Sequence, residues 1–363
     1  MAKKVETVES SANDKVKAAL ALLNKTFGDG SAMTFNNVEV TKIPAISTGS
    51  ISLDLALGIG GLPLGRCCEI YGPESSGKST ICMQVCAEAQ KMGYVVAYMD
   101  LENTFDPLYA RNLGVDLNSL VFSQPSCIED AFNAMTVLLK NKLCNVIIFD
   151  SIASGKTKAE LSDDFEVGDN LIGVQARIMS QGLRNIAPLA NEANCLCLFT
   201  NQTRQKIGVM FGSPETTPGG GAMAFYASVR MRIAGKSQIK EGKGDDAIAT
   251  ARETEVKVVK NKVAPPFRTA NFVIRFGKGI SKEEEVLDYA VKFGILEKAG
   301  AWFRYNGENV AQGKEKALAW LKSNPELLEN FTKRVKDFVI SSFDEAESME
   351  DDLAYNPETG EVE

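Results

Sequence analysis

Apolar residues along this chain fall into two kinds of run that take turns. Short, nearly continuous stretches rich in β-branched residues occupy Cys68–Tyr71, Val95–Asp100, Leu120–Ser123, Val146–Asp150 and Cys195–Thr200. Between them, residues 79–91, 107–113, 128–141 and 171–192 carry helical spacing. Continuous apolar strands alternating with helices predict a mostly parallel sheet covered on both faces, an α/β core. Three later runs, Ala227–Ile233, Glu255–Val259 and Phe272–Phe276, follow one another without helices, so that end of the sheet is expected to be antiparallel and the whole sheet mixed.

The pattern changes around Gly277-Lys278-Gly279. Helical segments 283–293, 313–322 and 325–340, with a strand-like Ala301–Tyr305 between the first two, predict a small α-rich C-terminal domain. The core is therefore placed at 43–280 and the small domain at 281–343. At the other end, residues 14–26 form an amphipathic helix that Asn13 or Asp14 would cap, with Val16, Leu20 and Leu23 on one stripe. Such a helix cannot bury its stripe alone. Residues 1–42 are read as an oligomerisation arm that either folds back or packs on a neighbouring subunit.

Composition changes this picture in three places. The 363 residues contain no histidine, which excludes histidine-based acid–base catalysis, triads and histidine zinc sites. The eight cysteines have no C-x-x-C spacing and sit mostly in apolar strands and on one helix, so they read as buried thiols in a reducing compartment. The net charge of −7 is uneven: 344–363 holds nine carboxylates and no Lys or Arg. Removing those nine from 47 acidic residues leaves 38 against 40 basic ones, a slightly basic body with an acidic tail expected to be disordered. No apolar run approaches membrane-spanning length and the start has no signal-peptide core, so a cytoplasmic protein is expected.

The chemistry centres on Gly72-Pro73-Glu74-Ser75-Ser76-Gly77-Lys78-Ser79-Thr80, lying between an apolar strand and a helical segment. This is the phosphate-binding G-x-x-x-x-G-K-S spacing in its required context, so a nucleoside triphosphate is expected here. Lys78 would reach the β- and γ-phosphates and Ser79 would ligate Mg²⁺. Asp150, delivered at the end of a buried strand, suits the metal's hydration shell. Glu102, two residues beyond another strand end at Asp100, is the candidate base for the attacking water. Gln202 follows a third strand and could donate to a γ-phosphate oxygen. The loop after it, Arg204 to Gly221, is rich in glycine and carries apolar tips and basic residues, which suggests a nucleotide-gated binding element.

Long strings on separate elements carry a resemblance. Glu69-Ile70-Tyr71-Gly72-Pro73-Glu74-Ser75-Ser76-Gly77-Lys78, Lys206-Ile207-Gly208-Val209-Met210-Phe211-Gly212, Val258-Val259-Lys260-Asn261-Lys262 and Glu297-Lys298-Ala299-Gly300-Ala301-Trp302 are among them. The chain resembles the bacterial RecA family of strand-exchange recombinases, cellular or phage-borne. That likeness implies a RecA-type P-loop ATPase core with a short N-terminal helix–strand arm. It implies ATP and Mg²⁺ as cofactors, a helical filament on single-stranded DNA, pairing with double-stranded DNA, and ATP bound between adjacent subunits. It further implies partners such as a LexA-like repressor, single-stranded-DNA-binding proteins and loader proteins. Asp106 and Tyr109 would contact adenine, Lys260 and Lys262 would reach the neighbour's γ-phosphate, and Ile172, Arg177, Arg184, Arg204, Lys206, Ile207, Gly219 and Gly220 would meet DNA. The chain departs from the family pattern at Asn103, Ile172, Ala224, Asn306 and Asn309, none a catalytic position. A ring-forming ATPase of the same core, or an inactive DNA-binding scaffold, are the competing readings; the 204–221 loop and intact Lys78, Ser79, Glu102 and Asp150 oppose them.

Overall fold

The computed structural model of the chain describes residues 3–34, 43–162, 173–205, 215–242 and 247–351. Residues up to Lys42 form a unit of their own. Its helix α1 (Lys3–Phe27) begins well before residue 14, where the sequence pattern placed a cap. No glycine or proline precedes Gly28, and a mid-helix Ser10, Ser11 or Asn13 costs only about 0.5 kcal/mol each relative to alanine, too little to stop it. Gly28 takes φ 103° and ends the helix. The chain then turns back, with Ala32 N donating to Asn24 Oδ1 at 2.9 Å and Asn24 Nδ2 donating to Ala32 O at 3.0 Å. The strand expected in this arm lies outside the described residues.

In the second unit, β1 (Ala45–Ile46), α2 (Ile51–Leu57) and β2 (Leu62–Pro63) precede β3 (Cys67–Gly72) and α3 (Lys78–Lys91). The expected alternation follows: β4 (Val96–Asp100), α4 (Pro107–Asn112), β5 (Leu120–Ser123), α5 (Ile128–Lys140), β6 (Val146–Asp150), α6 (Val174–Glu192) and β7 (Leu196–Gln202). After them come β8 (Arg204–Gln205), β9 (Glu215–Thr216), α7 (Ala222–Tyr226), β10 (Val229–Glu241), β11 (Ile248–Asn261), β12 (Thr269–Arg275) and β13 (Gly279–Ile280). One nine-stranded sheet has the order β13-β12-β11-β10-β3-β7-β6-β4-β5. Pairing is parallel from β10 through β3 to β5 and antiparallel from β10 to β13.

The double burial predicted for the parallel strands is visible residue by residue. Val146 and Ile148 of β6 join the core on the α3 face, while Ile147 and Phe149 join the core on the α5 and α6 face. All eight cysteines are buried and unbridged, as expected of small hydrophobes.

The small domain holds α8 (Lys282–Lys292), α9 (Lys314–Lys322) and α10 (Pro325–Asp351). It also holds a three-stranded antiparallel sheet, β14 (Glu297–Ala299), β15 (Trp302–Tyr305) and β16 (Glu308–Gln312), of which only the middle strand was legible. The outer strands are short and mostly exposed, so they lack an apolar run. Helix α10 runs to Asp351, past the point where a disordered tail was expected to begin. Residues 342–351 contain no glycine or proline, and the next breaker is Pro357. The tail from 352 onwards lies outside the described residues.

A buried carboxylate ties the small domain to the core. Glu285 of α8 accepts hydrogen bonds from Ser50 Oγ (2.8 Å), Ser52 N (2.9 Å) and Ile51 N (3.2 Å), capping the N-terminus of α2. Asp54 of α2 similarly accepts from Thr48 N, Thr48 Oγ1 and Ser47 Oγ. Burial outweighs these bonds and pushes Glu285 up to about 7 and Asp54 up to about 6, from ordinary values of 4.5 and 3.8. Both folded values lie above the unfolded ones, so the folded state holds extra protons, and the contribution of the pair to stability falls as pH rises between about 4 and 7. Glu285→Gln should flatten that fall in urea melts run across pH, whereas Glu285→Ala should cost about 2–3 kcal/mol by stranding the α2 donors. An unchanged pH slope in the glutamine variant would refute the assignment.

Candidate nucleotide and DNA site

The strand β3 delivers Gly72 to a crowded point: a Cβ there would lie 2.1 Å from the Ile233 carbonyl oxygen of β10. Only glycine fits, and the chain leaves the sheet at that residue. Ser75 and Gly77 take φ 55° and 103°, curling the loop into α3. Among the described residues, the N–H groups from Glu74 to Gly77 have no acceptor, so the loop offers a row of free donors at a helix start. Lys78 Nζ is held over the loop by the carbonyls of Gly72 (3.1 Å) and Pro73 (2.7 Å). Burial lowers its pKa, and Glu102 and Asp150 oppose that shift.

A cavity of about 690 Å³ opens above this loop, and Lys78, Ser79, Glu102, Asp106, Tyr109 and Gln202 all line it. Asp150 is buried and is not among the lining residues. Its oxygens accept from Tyr98 OH (2.6 Å) and Thr200 Oγ1 (2.5 Å), and its peptide to Ser151 is cis. The Asp150 carbonyl accepts from Leu101 N (2.7 Å) and Glu102 N (3.3 Å), so β6 fixes where Glu102 begins. Burial first, and then the Asp150 charge, raise the Glu102 pKa, while a hydrogen bond from Ser151 works the other way. No cluster of three acidic or thiol side chains among the described residues could hold a metal unaided. So sparse a donor set, with one Ser79 hydroxyl in the cavity, suits Mg²⁺, which keeps waters and shares phosphate oxygens, and not a metal caged by protein alone.

Asp106 has a local task as well. It caps α4, its Oδ1 accepting from Leu108 N (2.8 Å) and Tyr109 N (3.0 Å). Tyr109 OH shares a 2.9 Å hydrogen bond with Thr80 Oγ1. Gln202 ends β7, its N–H donating to Asn201 Oδ1 at 3.0 Å. Lys260 and Lys262 are absent from the cavity lining. Lys260 Nζ donates instead to the Ala224 and Phe225 carbonyls (2.7 and 3.1 Å). It lies eight positions along β11 from Arg252, which does line the cavity, about 26 Å at 3.3 Å per residue.

Five of the eight residues expected to contact DNA are described. Arg177 and Arg184 are exposed, two turns apart on α6. Gly219 and Gly220 take φ 83° and 71°, and Cβ atoms there would come within 3.2 Å of Met179 and 2.9 Å of Ala176. The glycine pair thus abuts the first turn of α6, bringing the end of the 204–221 segment beside Arg177. Arg204 is exposed in β8. Ile172, Lys206 and Ile207 lie outside the described residues.

With this geometry in view, comparison with known proteins is decisive. The model of the RecA N-terminal domain matches residues 14–281 and that of the RecA C-terminal domain matches 284–339. Protein RecA of Haemophilus ducreyi is 48% identical over 342 residues, covering 94% of this chain and 90% of that protein. Protein RecA of Teredinibacter turnerae is 48% identical over 336 residues (92% and 96%) and that of Mannheimia haemolytica 49% over 325 (90% and 87%). The chain belongs to the RecA family.

Within this RecA-family cavity, sequence reasoning missed Asn112, Arg252, Thr254, Phe276 and Gly277. Arg252 and Thr254 stand in the polar stretch Thr250-Ala251-Arg252-Glu253-Thr254-Glu255, which has neither an apolar run nor apolar–polar alternation to mark it as part of a strand. The double position of Asp106 generates a test. Asp106→Ala should cost about 1 kcal/mol of stability from the lost cap, whereas Asp106→Ser should restore it, since serine caps well. If Asp106 also contacts the base, nucleotide affinity falls in both variants; wild-type affinity in the serine variant would leave only the cap.

Proposed function

We propose that this chain is a DNA-dependent ATPase that assembles into a helical filament on single-stranded DNA and catalyses homologous pairing and strand exchange in recombinational repair. The observation that carries the reading is the unpartnered N–H row of the phosphate loop in one cavity with Glu102 and Gln202, in a chain of the RecA family. The loop donors and Lys78 hold the β- and γ-phosphates of ATP. Ser79 and Asp150 would hold Mg²⁺ and its hydration shell, and the ion would supply positive charge to the phosphates. Glu102, made more basic by burial, takes a proton from the attacking water as the bond to the γ-phosphorus forms and ADP leaves. Gln202 donates to a γ-phosphate oxygen and stands immediately before the segment beginning at Arg204, so loss of that phosphate is felt where DNA is gripped.

Lys260 and Lys262, distant from their own cavity, complete the cavity of an adjacent subunit and supply transition-state charge there. Hydrolysis then depends on assembly. Arg177, Arg184, Arg204, Lys206, Ile172 and Ile207, with the backbone of Gly219 and Gly220, form the DNA face. Stimulation of self-cleavage in a LexA-like repressor, and exchange with single-stranded-DNA-binding and loader proteins, belong to the same reading. The defining experiment is strand exchange between a circular single strand and linear duplex, run with ATP; no joint molecules under conditions of full DNA-stimulated hydrolysis would overturn the recombinase assignment.

Two variants test the mechanism. Glu102→Gln should retain ATP and DNA binding yet lose about 10²–10⁴-fold in turnover, trapping long-lived filaments; near wild-type turnover would remove Glu102 as the base. Lys78→Ala mixed with Lys260→Ala should regain part of the hydrolysis, because some junctions pair an intact loop with an intact lysine. Co-assembly without any recovery, across mixing ratios, would count against a site completed by a neighbour.

A further inference from the structure

We propose that Arg252 is a positioning residue of the phosphate loop: by holding the Ser75 carbonyl outside the loop, it aims the Ser76 N–H at the bound phosphates. The inference rests on the reading of the cavity as an ATP site. Thr250, Arg252 and Thr254 alternate along β11 and so share one face of the sheet. From that face Arg252 Nη1 donates to Ser75 O at 2.7 Å. The Ser75 carbonyl and the Ser76 N–H belong to one planar trans peptide and point in opposite directions. Fixing the oxygen therefore fixes the donor. Ser75 sits at φ 55°, a left-handed conformation that a serine does not favour, so the loop apex needs a hold from outside.

The sheet is shaped to let the arginine reach that point. Gly235 of β10 pairs with Thr254, and a register shift follows between Gly235 and Gln238. A Cβ on Gly235 would lie 2.5 Å from Arg252 Cδ and 3.0 Å from Nη1. The arginine stem thus lies across a residue that has no side chain to block it. Arg252 Nε, meanwhile, is buried with no acceptor among the described residues. A guanidinium placed for its own hydrogen bonding would not leave that donor idle; here the contact with the loop governs its position. The rival explanation is direct attraction, since Arg252 also lines the cavity. Direct attraction predicts a larger loss for ATP than for ADP and full retention by lysine.

The test uses the full chain and fluorescent ADP and ATP analogues. Wild-type binding establishes the site, and its absence would defeat the ATP reading and not this inference. Arg252→Gln should weaken both nucleotides by about ten-fold, the range of one charge-assisted hydrogen bond. Arg252→Lys should recover part of the affinity. Gly235→Ala should push the stem aside and weaken binding by a similar factor, and the double variant should be no weaker than the worse single one. Should the alanine variant melt early, the glutamine and lysine variants decide alone. Unchanged affinity in Arg252→Gln, a loss confined to ATP, or additive losses in the double variant would each overturn the proposal.

Discussion

The site depends on one close approach, that of Gly72 at the end of β3 to the Ile233 carbonyl of β10. Strand β3 lies between β10 and β7, paired in parallel with both, so its backbone cannot shift sideways to relieve a clash. The phosphate loop must leave the sheet at Gly72 and pass over the antiparallel end. Gly77 then lands on Ile274 of β12, where a Cβ would lie 2.5 Å from Ile274 Cδ1. Both ends of the loop are thereby seated on side chains and backbone of late strands. This is why a sheet whose first half resembles an ordinary parallel core still needs β10 to β13 for its chemistry.

A second constraint links that loop to the 204–221 segment proposed to meet DNA. Glu69 of β3 is wholly buried and accepts from Arg230 Nε (2.5 Å) and Asn201 Nδ2 (3.1 Å). The same Asn201 nitrogen donates to the Pro218 carbonyl at 3.1 Å, and its oxygen accepts from Gln202 N. Arg230 also lies 4.8 Å over the Tyr71 ring. A buried ion pair returns little net stability, because desolvation consumes most of the attraction. Its value here is positional. One amide sets the start of the 204–221 segment, through Gln202, and its return, through Pro218, so the cavity residue Gln202 and the segment proposed to meet DNA share a single anchor.

What was legible in the sequence follows from which interactions are local. The phosphate loop, Glu102, Asp150 and Gln202 all stand at or just beyond the ends of continuous apolar runs, and the end of such a run is visible in sequence. Helix–strand alternation likewise gave the parallel half of the sheet, since it is written in burial on both faces. Long-range polar contacts left no such mark. Glu285 capping α2 joins residues more than 230 positions apart, and its neighbours Glu283 and Glu284 made it look like an ordinary acidic first turn. Arg252 was hidden because β11 extends into the polar sequence Arg252-Glu253-Thr254-Glu255, which carries no hydrophobic pattern. The extra length of α1 and α10 was missed for the opposite reason: a capping residue or an acidic run is only a weak stop when no glycine or proline enforces it.

Charge explains why a cavity so well supplied with donors still needs help. Its lining carries Glu74, Glu102 and Asp106 against Lys78 and Arg252, a small negative excess before any nucleotide arrives. A triphosphate adds several more negative charges, and phosphoryl transfer spreads charge further over the γ-phosphate oxygens. Free N–H groups stabilise an anion at short range, yet they carry no net charge. The cavity has no histidine to share the burden, and one of its two cations, Arg252, is already committed to a loop carbonyl. On the proposed reading, a divalent ion and cations from beyond this chain's own cavity meet the remaining deficit. Lys260 near the end of β11 and Lys262 just past it do not line their own cavity, and on the proposed reading they serve that of a neighbour. The low charge of the isolated site would then keep hydrolysis slow until subunits adjoin.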